Sequence, residues 1–161
     1  MIKSAVISEC TRYRYRLYRE WEKSHLLPLL WVMLNPSTAD GETDDRTISK
    51  CIAFAKLWGY GAMWVVNRYA YRSTDPSVLK LLSVTEAEGP ENDWHLGVIG
   101  SQCASAVLAW GNPGGTHIPE SLWCPGGNFC LGVTKVGAPK HPLYLPMTTQ
   151  RVLYPIVRKV A

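Results

Sequence analysis

Leu29 to Leu34, LLWVML, is an unbroken apolar run that stops at Asn35-Pro36. A run this short with no polar face reads as a strand buried on both sides, the kind that parallel sheets contain. Proline ends it, because proline offers no N–H to a sheet and pushes the residue before it into an extended shape. A turn of small polar residues, Asn35-Pro36-Ser37-Thr38-Ala39-Asp40, follows the carboxyl end of the strand. Open α/β sheets bind ligands at that edge, so a site is expected to begin there.

Three more apolar runs follow: Ala62 to Val66, Ala104 to Trp110, and Phe129 to Val133. Helical patterns separate them. Asp44-Asp45 supplies a helix start, and Ile48, Cys51, Ile52 and Ala55 follow at helical spacing until Gly59. Asp75-Pro76 opens a short helix to Leu82, and the stretch beginning Gly89-Pro90 starts another that runs to about Gln102. The tail from Thr148 to Val160 reads as a last helix, with Val152, Ile156 and Val157 inward. Near the start, Arg12 to Leu17 alternates arginine with Tyr13, Tyr15 and Leu17. That pattern predicts an exposed basic edge strand, paired antiparallel with the strand ending at Leu34. The whole predicts an α/β fold: a three-layer sandwich with a central, mostly parallel four-stranded sheet and an N-terminal antiparallel edge strand.

The chain of 161 residues is 47% hydrophobic and 19% charged, enough apolar material for one domain over residues 1–161 with a real core. No apolar run reaches bilayer length, and the first residues lack a signal-peptide core, so a cytoplasmic protein with no membrane partner is expected. Five cysteines form no C-x-x-C pair, and the four histidines lack ligand spacing; neither a metal nor a disulfide framework is expected. No phosphate-binding loop, nucleophile elbow or dinucleotide fingerprint is present, and no cofactor is expected. The net charge of +4 is uneven, basic at both ends and acidic in the middle. Such a distribution fits a basic patch for an anionic partner, or a solvated surface with no special task.

In a parallel sheet the loops after the four inner strands share one edge. They would gather Asn35, Ser37, Asp40, Asn67, Arg68 and His141, with Trp110-Gly111-Asn112 nearby. Two carboxamides, a hydroxyl and an imidazole can read a planar polar heterocycle or orient a water. Each residue also has a plainer reading. Asn35 can stop the strand in an Asx turn, Asn67 can satisfy loop backbone, and Asp40 can cap the next helix. Tyr69 can stack on a base or pack on the sheet, and Arg68 and Lys140 can meet phosphates or keep the rim soluble. Trp58, Trp64 and Trp110 fit a core.

L-N-P-S-T-A-D, the D-D-x-T-I helix start, F-A-x-x-W-G-Y-G, V-V-N, A-W-G and K-H-P-L-Y-L-P resemble an uncharacterised family of small bacterial and phage proteins. The order of strand-end motifs also resembles the uracil-DNA glycosylase superfamily. There the first strand ends in an Asp-Pro or Asn-Pro turn that places the attacking water, as Asn35-Pro36 would. The second ends in an Asn that reads the base edge, as Asn67 would. The third ends in L-L-W-G, similar to Leu108-Ala109-Trp110-Gly111. The fourth leads to H-P-S-P, whose His bonds a base carbonyl; His141-Pro142 matches, while Leu143 and Tyr144 replace Ser-Pro where a duplex-wedging residue would fall.

The resemblance implies a nucleobase-recognising protein that hydrolyses the N-glycosidic bond of a damaged or modified base in DNA. Asn35 and His141 would be catalytic and Asp40 an assisting carboxylate. Asn67, Ser37, Pro36, Tyr69, Arg68, Gly111, Lys140 and Leu143 would bind substrate. The expected partner is DNA or a nucleotide. The alternatives are a non-catalytic module for modified bases or nucleic acid, and an enzyme acting on free nucleotides.

Overall fold

The structure, a computed structural model, describes residues 1–154. It is a mixed α/β protein built on one seven-stranded sheet in the order β1-β2-β4-β3-β5-β6-β7. The strands are β1 (Ile2–Ile7), β2 (Arg14–Glu20), β3 (Leu29–Met33), β4 (Ala62–Asn67), β5 (Ala106–Leu108), β6 (Asn128–Cys130) and β7 (Val152–Leu153). The apolar runs form its centre: β4, β3, β5 and β6 lie side by side and parallel. β1, β2 and β7 are antiparallel to their neighbours and extend the sheet at both edges.

The alternation of β3 explains why it has no polar face. Leu29, Trp31 and Met33 enter one core, with Leu17, Met63, Val65 and helix α1 (Arg46–Leu57). Leu30, Val32 and Leu34 enter another, with Val66, Leu108 and helix α3 (Asn92–Ser101). Both faces are therefore covered, and each β3 side chain so buried contributes about 1.5–3 kcal/mol. Between them lie a 3-10 helix (Pro76–Leu81) and the short helix α2 (Val84–Glu88), started by a reciprocal Ser83–Glu86 capping box. Among the described residues no helix is long and apolar enough to cross a membrane.

The sheet has seven strands where four and one edge strand were expected, and three further expectations require correction. First, the arginine-rich strand β2 pairs with β4 and not with β3, and β1 lies outside it, so it is not an edge. The connection after β2 carries β3 past β4, and β4 then fills the place beside β2. Second, the arginines of β2 do not form one exposed face. The β1–β2 register shifts where Val6 faces Arg16 and Ile7 faces Arg14, leaving Tyr15 as an extra residue. Such a bulge breaks the two-residue alternation and re-aims the side chains beyond it. Arg14 and Arg19 end up 2% and 0% exposed, while Arg16 lies over Trp64. Third, the tail is not helical where it is described. Val152 and Leu153 pair with β6; Ile156 and Val157 lie outside the described residues.

Arg19 is the anchor between β2 and the first helix. Its Nε donates to Asp44 Oδ1 at 2.6 Å, one terminal nitrogen to the carbonyls of Asp40 (2.6 Å) and Thr43 (3.2 Å), the other to Tyr18 (2.8 Å) and Ser4 (3.4 Å). A guanidinium out of water needs such a full set of acceptors. Lys3 adds a second contact to Asp44 at 2.8 Å. Burial opposes ionisation of Asp44, but the hydrogen bonds from Lys3 and Arg19 outweigh it and hold its pKa below the ordinary value. Asp44→Ala is expected to cost about 3 kcal/mol in urea unfolding, the usual loss when one member of a buried pair is removed. A loss below about 0.5 kcal/mol, the range of an ordinary surface change, would contradict the anchor.

Candidate functional site

A cleft of about 460 Å³ opens at the carboxyl ends of β3 and β4, within the range of small-molecule sites. Of the residues the sequence singled out, Asn35, Ser37, Asn67, Gly111, His141 and Leu143 line it. So do Arg14, Asp45, Trp110 and Tyr144, with apolar walls from Met33, Leu34, Ile48, Val65, Pro76 and Pro113. Pro36, Asp40, Arg68, Tyr69 and Lys140 do not line it.

Asn35 ends β3 as proline requires, and its amide ties the edge together. Its Nδ2 donates to the carbonyls of Ser73 (3.0 Å), Pro36 (3.2 Å) and Tyr71 (3.4 Å). The Oδ1 takes no partner among the described residues, which leaves an acceptor at the cleft. Pro36 is buried, and its carbonyl also receives the Ser73 N–H.

Asn67 is the last residue of β4 and is 1% exposed. Its Oδ1 receives a guanidinium N–H of Arg14 at 3.5 Å. Its Nδ2 is buried and has no partner. Because a guanidinium can only donate, the oxygen must face Arg14, which leaves the NH2 on the other side of the amide, in a residue that borders the cleft. A buried donor without an acceptor is costly, and a ligand acceptor would relieve it. Asn92, on α3, fixes the strand end from behind, donating to the main-chain carbonyls of Asn67 and Arg68.

Arg14 is held by a 2.7 Å bond to the Ala39 carbonyl. Burial lowers its pKa to about 10, with the nearby Asp45 carboxylate working the other way, so it stays charged at neutral pH. Asp45 divides its two oxygens. Oδ1 accepts from Ile48 N–H at 2.8 Å and caps α1; Oδ2 accepts from the Ser37 hydroxyl at 2.8 Å. The helix-start reading of Asp45 therefore covers one oxygen only. Asp40 sits differently: its Oδ1 accepts from the backbone N–H groups of Glu42 and Thr43, both at 2.8 Å, closing its own loop.

His141 is oriented by its neighbour. Its Nδ1 accepts from Leu143 N–H at 3.2 Å, which puts the proton of the neutral ring on Nε2. The Nε2–H takes no partner among the described residues. Burial lowers the His141 pKa and the Asp45 carboxylate opposes that, so the ring is neutral at pH 7. Gly111 has φ +72°, a conformation suited to glycine, and a side chain there would reach to within 4.0 Å of the His141 Cβ.

The remaining candidates lie around the cleft. Arg68 stacks on Trp110 at 4.7 Å and donates to the His117 carbonyl. Tyr69 lines an adjoining apolar groove that shares Pro76 and Pro113 with the cleft. Lys140 is exposed. Among the described residues no three His, Cys, Asp or Glu side chains gather as a metal site would require.

Sequence reasoning missed the roles of Arg14 and Asp45, and it placed Trp110 at this edge and in the core without joining the two. Arg14 is placed by a bulge that no local pattern announces. Asp45 was visible as a cap, and Trp110 as core; neither signal says what else the side chain borders.

The arrangement defines an α/β protein with a polar ligand cleft at the strand ends. The chain belongs to the DUF1643 family, described as a protein of unknown function, whose model matches residues 14–143. Neither the curated proteins nor the solved structures give a match to it.

The neutral His141 has a consequence for stability. In the unfolded chain it takes up a proton near pH 6.5; in the folded protein it does so only at lower pH. Between those values the unfolded state binds more protons, so stability falls as pH falls below about 6.5 and levels off below the folded pKa. His95, whose pKa burial also lowers, acts in the same direction. Urea unfolding across that range is expected to show this fall, and His141→Asn to make it shallower. An unchanged slope in the variant would place His141 in ordinary solvent.

Proposed function

We propose that the cleft recognises a nucleobase and that the chain hydrolyses an N-glycosidic bond, in the manner of the uracil-DNA glycosylase superfamily that its motif order resembles. The observation that carries the reading is the unpaired, buried Nδ2 of Asn67 in the same cleft as the free Nε2–H of His141. Two fixed donors in a hollow with apolar walls suit the carbonyl oxygens of a flat heterocycle.

In this mechanism Asn67 donates to the edge of the base. Asn35 Oδ1 accepts from a water and aims it at C1′ of the sugar. The water oxygen bonds to C1′ as the C1′–N bond breaks, and the bonding electrons leave with the base. His141 donates to a base oxygen on which that negative charge collects, acting as an oxyanion donor does. The water's proton needs an acceptor stronger than a carboxamide. Asp45 lines the cleft and has a carboxylate; Asp40 does not line it. The proton is therefore assigned to Asp45. Tyr144, 84% exposed at the rim, would meet the rest of a nucleic acid strand in this reading.

The test is release of free base from oligonucleotides that carry uracil, hypoxanthine, mismatched thymine or a hypermodified pyrimidine. The expected result is release from at least one. Asp45→Asn keeps a residue that caps helices as well as Asp does. It should lower the rate by about 10²- to 10⁴-fold, the ordinary contribution of a general base, with little change in melting temperature. No release from any substrate by folded protein removes the hydrolysis. Saturable, salt-sensitive binding without release would leave recognition alone.

A further inference from the structure

We propose that Arg14 decides which edge of a heterocycle the cleft accepts, selecting an oxo group over an amino group by pinning the amide of Asn67. The proposal rests on reading the cleft as a nucleobase site.

The two ends of an asparagine amide are nearly equal in size and opposite in polarity. Whichever end a neighbour holds, the other is offered to the ligand. For Asn67 the neighbour is Arg14, and at 1% exposure the side chain has no bulk water to arbitrate. Turning the amide over would set its NH2 against the guanidinium N–H groups and strand both sets of donors. Asn92 touches only the main-chain oxygen of Asn67, so it does not compete for the side chain.

Arg14 itself is firmly placed. The Tyr15 bulge brings it to this face, and the Ala39 carbonyl holds one terminal nitrogen at 2.7 Å while the other reaches Asn67. Ala39 is fully buried in the first core, so the acceptor is fixed by packing. The strand bulge thus converts a residue outside the parallel strands into the determinant of polarity at the end of β4.

An exocyclic oxo group facing Asn67 gives the unpaired Nδ2 its acceptor. An amino group there meets donor with donor and leaves two polar groups unsatisfied. The difference is expected to be on the order of 10- to 100-fold in affinity. Without Arg14 the amide can turn, present Oδ1, and accept from the amino group.

The experiment compares N1-methyluracil with N1-methylcytosine, by calorimetry or NMR titration, in the wild type, Arg14→Met and Arg14→Lys. The wild type should favour the oxo ring. Arg14→Met should bring the ratio to about one; its long apolar side chain fills most of the space but leaves the Ala39 carbonyl without its donor, so its fold is checked first by circular dichroism. Arg14→Lys keeps a donor and should keep the direction of the preference, even if Arg14→Met fails to fold. A neutron structure without ligand should place the Asn67 deuterons toward the cleft in the wild type. Wild-type selectivity retained in Arg14→Met, reversed selectivity in Arg14→Lys, or Asn67 Oδ1 facing the cleft each overturns the inference. Failure of the wild type to bind either ring overturns the nucleobase reading itself, and the selection with it.

Discussion

Two guanidinium groups removed from water govern this structure. A buried arginine gathers acceptors, because unmet N–H groups out of water are costly. β2 buries two of them, Arg14 and Arg19. Arg19 is met at all three nitrogens, and Arg14 at its two terminal ones, its Nε having no partner among the described residues. Arg19 draws the carbonyls and carboxylate of the 40–44 loop onto the sheet, which fixes the approach to α1 and the position of Asp45 at its start. Arg14 draws in the Ala39 carbonyl and the Asn67 amide. The loop after β3 is thereby clamped at two points by a strand that is not its neighbour in the sheet.

The cleft inherits its chemistry from these clamps. Asn67 and His141 each have one side engaged by the protein and a donor left over. Asn35 has the opposite arrangement, with its nitrogen engaged and its oxygen left over. Asp45 offers an anion held by a helix N-terminus and a hydroxyl. Such groups cannot reorient freely, which is what preorganisation of a polar site requires. Arg14 and Asp45 bring opposite charges to the same hollow.

The centre of the fold was legible because burial on both faces leaves a plain mark: LLWVML can sit only where both sides are covered. From there the rule that ligands gather at the ends of parallel strands leads to Asn35, Asn67 and His141, and all three do border one hollow. The edges of the sheet were not legible. β1 carries a mixed pattern, IKSAVI, and β7 is only two residues long. The strict alternation of RYRYRL misled, because a single extra residue in the β1–β2 pairing reverses which side its arginines meet. Asp45 misled differently. One carboxylate can cap a helix and border a cleft at once, and sequence patterns reveal only the local task.

The most direct test of the central claim is an NMR titration of the protein with a free dioxopyrimidine, following the side-chain amide of Asn67 and the imidazole Nε2–H of His141. Progressive, saturable shifts of both signals at a common midpoint are predicted. Shifts confined to the separate polar hollow beside Asn92 and His117, or none at either of the two side chains, would contradict it.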